Sequence, residues 1–207
     1  MNLTAQIAPP ATGPAGPRPY FVRGLLGCLT ATAGIGIVAL LTGSFDETGA
    51  RVLGSTWLVG LFCMLCLADL TVLDTPRRAV GTGGIAAAAA ALGLGLTFIW
   101  SLRDDWNDGL EVEARAFLVT GVLAVALAHA SLLLRINLRS QDSLAAVRAA
   151  TLTVLTIVAT MCAAPAVSYD VADSEGYWRL LGVLAILDVL GTVSLPVLAR
   201  FETRTVR

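Results

Sequence analysis

The sequence predicts an all-α polytopic membrane protein: six transmembrane helices arranged as three antiparallel hairpins, with both termini in the cytoplasm. Three observations carry that prediction. Charged residues make up 14% of the chain against 56% hydrophobic ones, with a mean hydropathy of +0.77. A soluble domain has about 25% charged residues, so this chain lacks the charge to cover a water-facing surface. Six long apolar runs follow one another with short polar breaks. Finally, arginine is distributed unevenly among those breaks.

Residues 1–20 contain Pro9, Pro10, Pro14, Pro17 and Pro19, filled in mostly by Ala, Gly and Thr. Such a segment buries too little apolar surface to fold alone, and it reads as a disordered Pro/Ala/Gly-rich cytoplasmic tail. Its two readings are a tether and a proline-rich docking site. It carries only Arg18 before Arg23, and no small-residue cleavage site follows the apolar run, so it does not read as a signal peptide.

The six predicted spans are Phe21–Leu41, Val52–Leu73, Val80–Leu102, Ala114–Ile136, Val147–Ser168 and Tyr177–Ala199. Together they make a transmembrane bundle over residues 21–200, followed by a short cytoplasmic C-terminal tail at 201–207. The stretch Tyr177–Arg200 shows the pattern best. At ~1.5 Å per residue it covers ~36 Å, enough for a bilayer core. An aromatic pair with Arg179 stands at one end and Arg200 at the other, as interfacial anchors do. The first and third spans are rich in Gly and Ala, the residues that let helices approach closely where hydrophobicity cannot drive association. Pro165 and Pro196 fall near the ends of the fifth and sixth spans, where kinks are expected.

Short connections make neighbouring spans antiparallel. One side then holds ten arginines: Arg18, Arg23, Arg77, Arg78, Arg135, Arg139, Arg148, Arg200, Arg204 and Arg207. The other side holds four, with ten of the chain's acids. The positive-inside rule places the ten in the cytoplasm and the protein in the cell's inner membrane. All 14 basic residues are arginine, a usage that goes with GC-rich bacterial genomes. Each even-numbered span opens on Glu-x-x-x-Arg: Glu47 with Arg51, Glu111 with Arg115, Glu175 with Arg179. An acid in the first turn suits the positive helix end, and an arginine four residues on can pair with it. The regular spacing has two accounts, a triplicated hairpin or three equal hairpins that need the same start.

Only Asp69 and Asp188 among the acids fall inside apolar spans. Asp188 lies near the middle of the last one, where a charge costs from about 2.5 kcal/mol upward. It is either a proton- or cation-coupling acid, or an acid held by hydrogen bonds that fix helix packing. His129 is the only histidine. It is either buried with one hydrogen bond to a backbone carbonyl or a proton relay. Counting residues inward from the helix starts suggests a polar path from Asp188 through His129 to Asp69. Arg135 is expected to snorkel toward the headgroups, with Asp69 as a candidate ion-pair partner. Cys63 and Cys66 have the spacing of a metal or redox pair but lack a nearby His and an aqueous interface, so no metal site is assigned. The acidic segment Arg103–Glu113 lacks calcium-loop spacing and reads as a solvated loop.

These residues also exclude several functions. A single His cannot supply a bis-histidine haem, and no Cys-x-x-Cys-His, P-loop, Gly-x-Ser-x-Gly or His-Glu-x-x-His occurs. A net charge of −1 gives no electrostatic case for nucleic acid. No cofactor is expected. The partners expected are the lipid bilayer and either other membrane subunits or further copies of the chain. The primary expectation is a non-enzymatic membrane subunit or assembly partner. The alternative is a small proton- or cation-coupled transporter that uses Asp188, His129 and Asp69.

Overall fold

The structure, a computed structural model, describes residues 18–42, 47–101, 108–136, 142–168, 171 and 173–205. The proline-rich segment lies outside the described residues except for its end, since residues 18–20 open the first helix. Residues 103–107 of the acidic segment 103–113 also lie outside them, and helix resumes at Asp108.

The described residues are all helical apart from turns. The helices are α1 (Arg18–Thr42), α2 (Glu47–Asp69), α3 (Arg78–Ser101), α4 (Asp108–Arg135), α5 (Asp142–Val167) and α6 (Glu175–Thr205), with a 3-10 turn at Leu70–Val72. All six are long and apolar enough to cross a membrane. Each predicted span overlaps one of the six helices, the second running on through the 3-10 turn, and α2, α4 and α6 take their opening Glu into the first turns. The Glu–Arg pair forms on all three. Arg115 meets Glu111 at 2.5 Å and Arg179 meets Glu175 at 2.6 Å, and Arg51 pairs with Glu47. Pro165 and Pro196 both lie inside continuous helix.

Most hydroxyl groups among the described residues are satisfied locally. Thr30, Thr56, Thr120, Thr156 and Ser194, among others, donate to the carbonyl four residues back. In an apolar medium this is the cheapest way to hide a hydroxyl, because it needs no neighbouring helix.

The packing is an extended series with a three-helix centre. α3 lies between α2 and α4, and α2 also touches α4. α1 packs mainly on α2, and α5 links α4 to α6. The core joins Leu25 of α1, Cys63, Cys66 and Leu70, Ala87 and Ala88 of α3 and Ala124 of α4. Small residues set its spacing. A Cβ added at Gly95 would lie 2.5 Å from Leu58 and 2.7 Å from Phe117, so α2 and α4 both press against α3 there. A Cβ at Gly191 of α6 would lie 2.3 Å from the Thr151 hydroxyl of α5. Trp100 near the end of α3 donates to Ser55 near the start of α2 at 3.1 Å. Two arginines serve the end of α4: Arg77 donates to the Leu134 carbonyl at 3.2 Å and Arg148 to the Ile136 carbonyl at 3.4 Å. Cations there face the negative end of the helix.

Candidate functional site

The four residues singled out from sequence divide into two places and one surface position. Asp188 and His129 come together, Asp69 is held elsewhere, and Arg135 is exposed. Asp69 takes its hydrogen bond from Ser131, not from Arg135. Ser131 and His129 are two residues apart on α4, hence ~200° apart around the helix. A path that counting residues would run from Asp188 to Asp69 is therefore split by the body of α4.

Asp69 is the last residue of α2 proper and is fully buried. Its Oδ1 accepts from Ser131 Oγ at 2.8 Å, and its Oδ2 has no hydrogen-bond partner. Gly84 of α3 faces the carboxyl so closely that an added Cβ would lie 2.2 Å from Oδ2. Gly81, one turn earlier, faces the Asp69 carbonyl, where a Cβ would stand 2.6 Å away. Asp69 thus sits in a notch that two missing side chains create, between α2, α3 and α4. Cys66, its neighbour one turn back, is likewise fully buried, and no group of His, Cys, Asp and Glu able to hold a metal occurs among the described residues.

Asp188 and His129 form the second place. Asp188 is 6% exposed. Its Oδ2 lies 3.5 Å from His129 Nδ1, a long contact. His129 Nε2 is 2.8 Å from the Thr192 hydroxyl. Thr192 is one turn beyond Asp188 on the same face of α6, and its hydroxyl donates to the Asp188 carbonyl at 2.8 Å.

A hydroxyl has one hydrogen, and with that of Thr192 on the Asp188 carbonyl its oxygen is left to accept from the Nε2–H tautomer of His129. In that tautomer Nδ1 faces Asp188 Oδ2. Asp188 Oδ1 is enclosed and has no partner.

The pair lines a cavity of about 410 Å³ between α4, α5 and α6. Its other walls are almost all apolar, among them Phe117, Gly121 and Val125 of α4 and Leu155 and Val158 of α5. The lining positions lie midway along the helices, so the cavity opens on the side of the molecule and not at an end. A second groove of about 350 Å³ between α1 and α2 is lined by apolar side chains with Thr32 and Thr56, whose hydroxyls bond within their own helices.

Sequence reasoning missed Ser131 and Thr192. Thr192 was findable, because a hydroxyl four residues after a mid-span acid shares its face. Ser131 carried no such signal, since a serine in an apolar helix ordinarily bonds back to its own backbone. Compared with known protein families, curated proteins and solved structures, the chain matches none of them.

Proposed function

We propose that the protein is a non-enzymatic, multi-pass subunit of a membrane assembly in the cell's inner membrane. In this reading its six spans form three antiparallel hairpins and both termini are cytoplasmic, as the arginine distribution indicates. The observation that supports the assembly reading is the packing of the outer helices. α1 rests mainly on α2 and α6 mainly on α5, so the helices make an open series and not a closed ring. The two ends of that series present large apolar faces, such as Ile35, Ile37 and Val38 on α1 and Ile186, Val189 and Leu190 on α6. A second subunit, or a second copy, supplies packing there that lipid gives only loosely.

Native mass spectrometry of the full chain, released from the membrane in mild detergent with its lipids, tests this. A complex of fixed stoichiometry is expected. A single copy of the chain across detergents and concentrations overturns the assembly reading. Cysteine-free tags at Met1 and Arg207, probed with an impermeant reagent, are expected to report from the same, cytoplasmic, side.

The His129–Asp188 pair supports a second reading, a small proton- or cation-coupled transporter. An imidazole and a carboxyl group that touch beside a cavity have the parts to take up and release a proton. Asp188→Asn is then expected to leave the protein folded and remove proton-coupled flux in liposomes. Flux that survives the substitution removes the coupling role.

A further inference from the structure

We infer that the C-terminal end of α4 is a binding site for the phosphate of an anionic phospholipid, held between Arg77 and Arg148 with Arg135 beside them. The arginines of this chain are of two kinds. Arg51, Arg115 and Arg179, at the starts of α2, α4 and α6, each meet the glutamate one turn back. Arg77 and Arg148, at the opposite end of the bundle, form no ion pair among the described residues.

The two reach one place from two sides. Arg77 lies in the turn before α3 and donates to the Leu134 carbonyl, while Arg148 lies on α5 and donates to the Ile136 carbonyl. Those acceptors are two residues apart where α4 ends, and the Arg77 charge acts on Arg148. Arg135 stands between the acceptors in the chain and is exposed. A guanidinium has five N–H donors, so one bond to a carbonyl leaves most of each fork unused.

The charge does not balance within the protein. A helix end carries about half a negative charge, and this one has three guanidinium groups near it. The two turns that meet here hold Arg77, Arg78, Arg135, Arg139 and Arg148 against Asp74 and Asp142, so full pairing of both acids still leaves a surplus of three positive charges. Two like charges at close range repel, and an anion between them turns that repulsion into attraction. Phosphate oxygens match the planar fork of arginine and accept two parallel hydrogen bonds from it.

The surroundings make the phosphate that of a lipid. Arg148 is half-buried and stands inside the apolar run of α5, four residues after buried Leu144. The exposed positions about it are Ala145, Ala146, Ala149 and Ala150, a smooth surface for an acyl chain. A soluble phosphate would satisfy the cations and leave that apolar surface bare. A phospholipid covers both, as anionic head groups do at basic pockets between helix ends. A zwitterionic head group would bring a further cation to a place that already has too many.

The inference needs the membrane but not the assembly reading, because bound lipid is counted per chain whether the chain is alone or in a complex. Native mass spectrometry of the full-length protein in mild detergent is run during titration with palmitoyl-oleoyl phosphatidylglycerol or the corresponding phosphatidylcholine. The first phosphatidylglycerol is expected to bind about thirtyfold tighter, the factor that two arginines near a lipid surface give. Arg77→Gln with Arg148→Gln is expected to lose that preference. Glutamine keeps an N–H for each α4 carbonyl, so the helix end stays capped.

Arg51→Gln with Arg179→Gln removes the same charge from the glutamate-paired arginines at the other end and is expected to keep the preference. Equal affinity for the two lipids overturns the site. So does an equal loss in the Arg51/Arg179 control, since charge anywhere on the chain would then suffice. Competition by glycerol 1-phosphate as strong as that by phosphatidylglycerol overturns the lipid source. Should the Arg77/Arg148 variant fail to fold, Arg135→Gln at its exposed position takes its place, with an expected loss of about fivefold. No loss there overturns the site.

Discussion

Two carboxyl groups lie inside apolar helices of this chain, and their surroundings differ in almost every respect. Asp69 fills a notch that Gly81 and Gly84 open in α3, has one hydroxyl donor, and is fully enclosed. Asp188 faces an imidazole that a threonine hydroxyl holds at its other nitrogen, and it lines a cavity that opens on the flank. Each leaves one buried oxygen without a protein partner. At Asp69 that oxygen is pressed against a helix backbone, so nothing larger can reach it. At Asp188 the unpartnered oxygen is enclosed as well, but the residue stands at the wall of a cavity. An acid in a membrane helix is thus not functional by depth alone. The packing next to it differs as well: a glycine notch at Asp69 and a cavity wall at Asp188.

The comparison can be broken most directly at the notch. Gly84→Ala drives a methyl group into the Asp69 carboxyl and is expected to cost about 1–3 kcal/mol or more, read as a lower thermal midpoint in detergent. Gly121→Ala, at the other site, is expected to change the midpoint little, since its Cβ enters open space. Equal losses at the two glycines would mean that the cavity is as closed as the notch.

Ser131→Ala comes next in size. It leaves both Asp69 oxygens without a donor and is expected to cost about 1–3 kcal/mol in denaturation. A neutral result would show that Asp69 has found another donor, and the contrast would weaken. Thr192→Val removes the acceptor that fixes His129, at an expected cost of about 1 kcal/mol. Its sharper readout is the ¹⁵N spectrum of the imidazole, where the Nε2–H signature is expected to give way to mixed tautomers. An unchanged spectrum would remove threonine as the orienting group.

The smallest stability effect is expected for Asp188→Asn, less than about 1 kcal/mol, because the amide keeps the shape and can face the cavity. A loss as large as that of Gly84→Ala would place Asp188 with Asp69 as a packing residue.

Much of the fold is legible in residue order. The six apolar runs coincide with α1 to α6, and the Glu-x-x-x-Arg starts appear as ion pairs on the three helices they open. Gly and Ala in the third run foretell a helix with close neighbours on both sides, and α3 has them in α2 and α4. The site is legible only as a set of residue types. Asp69, Asp188 and His129 stand out because polar groups are costly in apolar helices. Their grouping does not follow from depth, because depth gives a position along an axis and says nothing of rotation about it.

What the sequence determined by itself is the medium and the elements. Hydropathy and length are local sums, and a helix in hydrocarbon satisfies its own backbone without consulting its neighbours. What only the tertiary structure decided is which polar groups meet. That depends on the angle at which each helix faces the next and on the places where a missing Cβ lets two backbones close. The two-residue step from His129 to Ser131 turns α4 by ~200°, and that turn sends one to Asp188 and the other to Asp69.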